Sequence, residues 1–283
     1  MTGAATPYAD WIGATETTED DLSPAAALRV AATLDDPGGN FAAGAPLPPV
    51  WQWFYFLPRA PQSRIGADGH PEKGGFMPPI DLPRRMFAGA RMRFHRSLSI
   101  GRPATREGTI RSIADKSGRS GRLMFVTVGY TFRQDGQVCI EEEQDIVYRE
   151  PGAPVPAPQP AELPALDQGA RSRMVQPDPA LLFRFSAITF NAHRIHYDRP
   201  YATDVEGYPG LVVHGPLTAI LLMELVRGHT DGAVAGFEFR GRAPLFDLAP
   251  FRVAATPNDA GRIMLEAHGP DGRPAMTATA ETA

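Results

Sequence analysis

The sequence predicts an α+β fold in which one antiparallel-sheet unit occurs twice, and three observations predict it. The stretch "EPGAPVPAPQPAELPAL", Glu150 to Leu166, is too rich in proline to bury a core and reads as an extended linker. The segments on either side run through one programme, a helix followed by strand-like runs, with "FAGARMRFH" from Phe87 and "VAGFEFRGR" from Val234 at the same stage. "GPLTAILLMELVRG", Gly215 to Gly228, is apolar on most sides, which marks a helix buried on most sides. One central helix wrapped by a long antiparallel sheet is a hot-dog unit, and two in tandem make a double hot-dog. The expected boundaries are 1–149 for the first unit, 150–166 for the linker and 167–283 for the second unit.

The first unit opens with "LSPAAALRVAATLDDPGG", where Ser23 fits an N-cap and Pro24 the first helical position, followed by alanine-rich helix formers. An apolar stretch, "PLPPVWQWFYFL", comes next. Alternating segments then read as strands: "ARMRFHRSLSI", "REGTIRSIADK", "RLMFVTVGYTFR" and "QVCIEEEQDIVY". Gly118, Gly121 and Gln134 to Gly136 supply their turns. "EEEQD" is expected to be a solvated strand face. In the second unit "LLFRFSAITFNAHRIHYD" precedes the Gly215 helix, with Pro216 near its start and Gly228 at its C′ position. Four further strand-like runs follow it: "AGFEFRGRAPL", "APFRVAATP", "GRIMLEAHG" and "RPAMTATAETA".

Composition removes several classes of function. With 43% hydrophobic and 21% charged residues and a net charge of -4, the 283-residue chain has no bulk cationic field for nucleic acid or an anionic membrane. A single cysteine, Cys139, cannot form an internal disulfide, and with scattered histidines it argues against a structural metal site. The longest apolar helical run is too short to span a bilayer, and the N-terminus has neither a signal core nor a transit pattern, so a cytoplasmic protein is expected. No dinucleotide or phosphate-loop fingerprint is present.

Two of the seven histidines fall in "FNAHRIHYD", within six residues of Asn191. Asn191 and His196 are five apart, so they converge only if the segment is a loop, which asparagine suits. The helix that starts at Gly215 presents unpaired amides and a partial positive charge, suited to a developing oxyanion, and Gly215 lets a ligand approach the backbone. His214 is expected either to fix the turn or to contact substrate. Arg84, Arg85, Arg91 and Arg93 lie in one short run, which reads as a solvated edge, a CoA-phosphate contact or a partner for a substrate carboxylate. Gly66 to Pro79 is a Gly/Pro-rich loop that could cover a pocket mouth, with Asp68 and His70 in structural roles.

"FNAHRIHYDRPYA…PGLVVHGPL" resembles the hydratase-2 motif of the MaoC-like hydratase/dehydratase family, an Asp-x-Asn-x-x-His segment followed downstream by His-Gly at the head of the hot-dog helix. The family's aspartate falls on Asn191, its asparagine on His193, its histidine on His196 and its oxyanion-hole glycine on Gly215. The usual catalytic aspartate is therefore absent. That departure, with "LPPVWQWFYFL", "GADGHPEKGGFMPP" and "LPRRMFAGARMRFH", is similar to the branch of mesaconyl-C4-CoA (3-methylfumaryl-CoA) hydratases and type-2 3-hydroxyacyl-thioester dehydratases. The resemblance implies reversible water addition to an α,β-unsaturated acyl-CoA without cofactor or metal. His196 would be the base, Asn191 a water-positioning group, His193 a partner in acid/base work and Gly215 the oxyanion donor. Arg84, Arg85 and His214 would contact substrate, and the first unit would shape the acyl pocket. The expected substrate is a short dicarboxylyl-CoA, mesaconyl-C4-CoA or itaconyl-CoA, giving citramalyl-CoA. The alternatives are a (3R)-3-hydroxyacyl-thioester dehydratase of fatty-acyl metabolism and a non-catalytic acyl-thioester binder. One chain can complete its own sheet, and a further homodimer is expected on a surface that the sequence does not identify.

Overall fold

Ser23 opens the first helix as its N-cap, its hydroxyl accepting the Ala25 N–H at 3.3 Å with Pro24 leading α1 (Pro24–Leu34). The computed structural model describes residues 7–36, 38–118, 121–228, 232–258 and 261–282. Strand β1 (Thr15–Asp20) precedes α1, and a 3-10 turn at Trp51–Phe54 follows it. Four long strands come next: β2 (Arg84–Phe94), β3 (Ala104–Gly118), β4 (Gly121–Gln134) and β5 (Gln137–Arg149). The second half repeats the order with β6 (Arg171–Val175), α2 (Pro179–Ile188) and α3 (Gly215–Arg227). It ends with β7 (Val234–Gly241), β8 (Phe251–Pro257), β9 (Arg262–His268) and β10 (Pro274–Thr282).

All pairings are antiparallel, in one ten-stranded sheet ordered β1-β3-β4-β5-β2-β7-β10-β9-β8-β6. Each half uses its strands in the order first, third, fourth, fifth, second, so the two halves are related by a pseudo-two-fold and the chain forms a double hot-dog. The segments matched in sequence, from Phe87 and Val234, pair at the junction, where Arg91 faces Glu238 and Met92 faces Phe237. The β4–β5 hairpin turns through Asp135 (φ 51°) and Gly136 (φ 74°), the left-handed pair that a two-residue turn between twisted strands requires. Residues 150–166 form no regular element. They lie along the second half through Val155 N–H to Gly207 O (2.8 Å) and Arg252 Nη2 to Pro164 O (2.7 Å).

Helix α3 is the core of the second unit. Leu217, Thr218, Ala219, Ile220, Leu221, Leu222, Met223 and Val226 are all buried, and it packs on β8, β9 and β10. Apolar residues on every side are stable only where sheet wraps every side. The helix ends at Gly228 with φ −80°, so its glycine C-cap is right-handed and not the left-handed C′ turn expected. Leu222 is fully buried, and Leu222→Ala should destabilise the protein by about 2–5 kcal/mol through lost transfer energy and a residual cavity. A urea-unfolding midpoint within error of the parent protein would show that this helix does not hold the core.

The first unit departs from the pattern of one helix per sheet. Its central place is taken by the Trp51–Phe54 turn, while α1 lies against α2 and that turn. Pro48 and Pro49 block a longer helix upstream, and Phe56 leaves the turn in a left-handed conformation (φ 54°). Aromatic rings fill the volume instead, with Trp53 set edge-on to Phe87 and Phe239. The same turn corrects the reading of "EEEQD". Glu141 and Glu143 face solvent, but strand alternation turns Glu142 inward, where Trp53 Nε1 (2.7 Å) and Gln52 Nε2 (3.2 Å) donate to it. Burial pushes the Glu142 pKa up despite these bonds. Among the described residues no helix is long and apolar enough to cross a membrane.

Candidate active site

The loop after α2 is built to converge. Phe190 takes a left-handed conformation (φ 50°), the Asn191 N–H donates to Ser186 O at 2.8 Å, and Asn191 Oδ1 accepts the His193 N–H at 3.0 Å. A 3-10 turn over Arg194–His196 follows, held by the Arg194–Asp198 ion pair (Nε to Oδ2 2.9 Å) and by the Tyr201 N–H donating to Asp198 Oδ1 (3.2 Å). Asn191 thus spends its carbonyl oxygen on the turn, and Asp198 caps the loop and, among the described residues, meets no histidine. His193 and His196 are both carried inward and buried.

His196 is oriented from the segment leading into α3. Its Nδ1 lies 2.7 Å from Val212 O, and a carbonyl only accepts, so Nδ1 carries the proton and Nε2 keeps a lone pair. The His214 ring stacks on it, centroids 3.6 Å apart at 19°, and is held in turn by Ser186 Oγ at 2.9 Å from His214 Nε2. His214 Nδ1 is buried and, among the described residues, has no hydrogen-bond partner. His193 stands edge-on to His196 at 5.4 Å. His214 is also the N-cap residue of α3 but makes no side-chain cap bond, and among the described residues no acceptor meets the Gly215 N–H. A Cβ at Gly215 would meet Phe87 O at an unstrained 3.8 Å, so packing within the chain does not demand glycine there. An uncapped helix N-terminus beside a free imidazole lone pair is a place where a carbonyl oxygen can gain negative charge.

Burial lowers the His196 pKa to about 4, against the Val212 hydrogen bond, and lowers His193 and His214 well below the ordinary histidine range. The cluster is neutral at pH 7, so its lone pairs can take protons. A histidine depressed in the folded state is protonated first in the unfolded chain. Its stabilisation is full above pH 6.5 and is lost as pH falls from 6.5 toward 4. Urea unfolding at pH 7 and pH 5 should show the loss, and His196→Gln should reduce it; equal stability at both pH values would contradict the neutral cluster.

Two site residues come from the first unit, where no catalytic part was expected. The loop from Gly66 docks on the histidine loop: the Arg194 N–H donates to Asp68 O (2.9 Å), and Arg194 Nη1 donates to Ala67 O (3.0 Å). Asp68 Oδ2 lies 2.8 Å from His70 Nδ1, and the His70 ring lies 4.1 Å from that of His193. The local "DGH" signal was visible, but nothing in the sequence said which segment it would meet.

The arginine run divides by strand parity. Arg85 shares a face with Phe87, two residues on, and its charge bears on His70 and His193. Arg84, expected at the substrate, points the other way. Glu206 takes its Nε at 2.7 Å and the Glu206 carbonyl its Nη2 at 2.6 Å, so it ties β2 to the turn after Tyr201. Arg91 is exposed and pairs with Glu143 and Asp145. Two open grooves of about 1070 and 930 Å³ run along the charged sheet face around Arg91 and Glu238 and include none of His70, His193, His196 or His214.

The profile of the family hydroxyacyl-thioester dehydratase type 2 matches residues 50–247. Mesaconyl-C(4)-CoA hydratase of Chloroflexus aurantiacus is 67% identical over 271 residues, 96% of each chain. Among solved structures, HtdX of Mycobacterium tuberculosis superposes with a TM-score of 0.67 at 16% identity, covering 95% of this chain and 100% of that one. A conserved hypothetical protein of M. tuberculosis, described as a double hot-dog fold, gives a TM-score of 0.57 at 14% identity over 96% of both chains.

Proposed function

Because the chain belongs to the hydroxyacyl-thioester dehydratase type 2 family, we propose that it hydrates a short dicarboxylyl-CoA reversibly, mesaconyl-C4-CoA or itaconyl-CoA giving citramalyl-CoA. The observation that carries the reading is His196, neutral and with no partner on Nε2 among the described residues, near the N-terminus of α3 that has no side-chain cap. In the hydration of mesaconyl-C4-CoA, whose double bond is conjugated with the thioester, His196 Nε2 takes a proton from water as the oxygen bonds to the β-carbon. The π pair moves onto the thioester oxygen, where the Gly215 N–H and the helix dipole stabilise it. Collapse of the enolate takes the proton from His196 to the α-carbon, which leaves the imidazole neutral for the next turnover. His193 walls the same space.

Arg85 supports the dicarboxylyl substrate. In mesaconyl-C4-CoA the free carboxylate sits on the β-carbon that water attacks, so its cation must lie beside the water-activating groups. Arg85 is the candidate cation, since its charge disfavours protonation of both His70 and His193. The first unit then shapes the acyl pocket, and the second carries the base and the oxyanion donor. The CoA thioester is a cytoplasmic metabolite in this reading, and the open edges at β1 and β6 leave room for a homodimer.

The test is a mass-spectrometric time course with mesaconyl-C4-CoA, itaconyl-CoA and crotonyl-CoA offered in parallel. Fast water addition to a C5 dicarboxylyl thioester, lost in His196→Ala, is the expected result. Turnover of crotonyl-CoA alone would favour the second reading, a 3-hydroxyacyl-thioester dehydratase, for which the family profile speaks.

A further inference from the structure

The histidine loop carries Asn191 where a carboxylate would assist the base, and Asn191 has committed its oxygen to the His193 N–H. A carboxylate nonetheless reaches the site from the other unit. We propose that Asp68 and His70 form a carboxylate–imidazole pair that holds the reacting water opposite His196, with His70 as a catalytic residue and Asp68 positioning it. The proposal rests on the hydratase reading above.

Four observations carry it. Asp68 grips His70 twice, Oδ1 accepting the His70 N–H at 2.9 Å and Oδ2 lying 2.8 Å from Nδ1. An ionised carboxylate only accepts, so Nδ1 carries the proton and His70 Nε2 is left as an acceptor, with no bond among the described residues. The rings form a chain, His70 to His193 at 4.1 Å and His193 to His196 at 5.4 Å, which brings the two acceptor-bearing rings into one cluster. The approach of the loops is a built feature. Gly69 sits at φ 91°, and a Cβ there would fall 1.7 Å from Ala192 O, so any side chain at this position would hold His70 away from the histidine loop.

The electrostatics agree with the geometry. Burial of Asp68 opposes its ionisation, but the hydrogen bonds that His70 donates to it outweigh that and keep the carboxyl ionised. Burial, with the Arg85 charge, keeps His70 neutral. In the step proposed, one O–H of the water gives its proton to His196 Nε2. The other O–H donates a hydrogen bond to His70 Nε2 and is retained as the hydroxyl of the product. The new C–O bond forms at the β-carbon and the proton on His196 passes to the α-carbon, so His70 ends each turnover unchanged. The possible ligand atoms of Asp68, His70 and His193 also lie within 4.8 Å of one another, a spacing that could hold a cation. The carboxylate is already engaged by Nδ1–H, however, and the nearby Arg85 charge disfavours a second cation.

The test is steady-state hydration of mesaconyl-C4-CoA by the full chain carrying His70→Gln, Asp68→Asn, Asp68→Glu or His196→Ala, with thermal unfolding of each. His70→Gln should lower kcat by about 10²-fold with KM changed less than about threefold, since water positioning acts on the chemical step. Asp68→Asn keeps an acceptor for the His70 N–H but turns an amide toward Nδ1. That favours the opposite tautomer, with Nε2 a donor, so kcat should fall by a similar factor in a folded protein. Nitrogen-15 spectra should report the tautomer change, and Asp68→Glu should recover part of the rate. His70→Gln and Asp68→Asn that both keep more than about a third of parent kcat, beside an inactive His196→Ala, would overturn the pair's role and leave the hydratase reading standing. Activity lost on chelation and restored by Zn²⁺ would give the three groups to a cation and overturn the pair. A parent protein that hydrates none of the thioesters would overturn the underlying reading and the pair with it.

Discussion

His196→Ala should lower kcat/KM for mesaconyl-C4-CoA hydration by about 10²–10⁴-fold, the range that a positioned acid/base contributes. His196 is asked to take a proton from water and return it to the α-carbon, and neither His193 nor His214 is equivalent to it. His193 has neither the carbonyl partner that sets the His196 tautomer nor a place on the α3 side of the cluster. His214 Nε2 is engaged by Ser186, and its Nδ1 is buried. Removing the ring also takes away the surface on which His214 stacks, so Tm should be followed beside the rate. The comparison that decides is pH-resolved. With the His196 pKa near 4, the parent protein should keep its rate down to about pH 5, below the limb of an ordinary histidine. His196→Ala retaining more than about a tenth of parent kcat/KM in a folded protein would remove this residue from the chemistry.

Arg85→Leu should convert the substrate preference. A charge-assisted hydrogen bond is worth about 1.5–3 kcal/mol, so kcat/KM for the dicarboxylyl thioester should fall by about 10–150-fold while that for crotonyl-CoA stays within about threefold. Because Arg85 shares β2 with Arg84 but faces the histidines, Arg84→Leu should act otherwise. It strands the Glu206 carboxylate, which is nearly buried, and should reduce stability without changing the ratio of the two substrates. Arg85 disfavours protonation of His70 and His193, so its removal should also raise their pKa values and move the acid limb of the rate to higher pH. Equal losses on both thioesters would mean that Arg85 supports the site and does not read the carboxylate.

Much of this molecule was legible because the signals are local. Ser23 with Pro24, and Gly215 with Pro216 before an all-apolar run, mark helices through capping chemistry and periodicity. Asp135-Gly136 marks a hairpin through its left-handed geometry. The histidine loop was legible as a loop because Asn191 and His196 cannot converge on a regular element, and the match of Phe87 to Val234 anticipated the symmetric strand order. The sequence by itself therefore determined the double hot-dog and the position of its one full central helix, and it offered His196 and Gly215 as candidates.

Tertiary structure decided what depends on which segments meet. Periodicity could not show that the first unit lacks its central helix, because Trp51, Trp53 and Phe54 fill that volume as aromatic bulk without helical repeat. Strand parity separated Arg84 from Arg85 and turned Glu142 inward, and a β-bulge between Phe87 and Gly89 shifts the parity along β2, which composition does not reveal. The Asp68–His70 pair lies more than a hundred residues before His193. It joins the site only because Gly69 has no side chain to keep the two loops apart, a contact encoded in the space between distant segments and absent from either one alone.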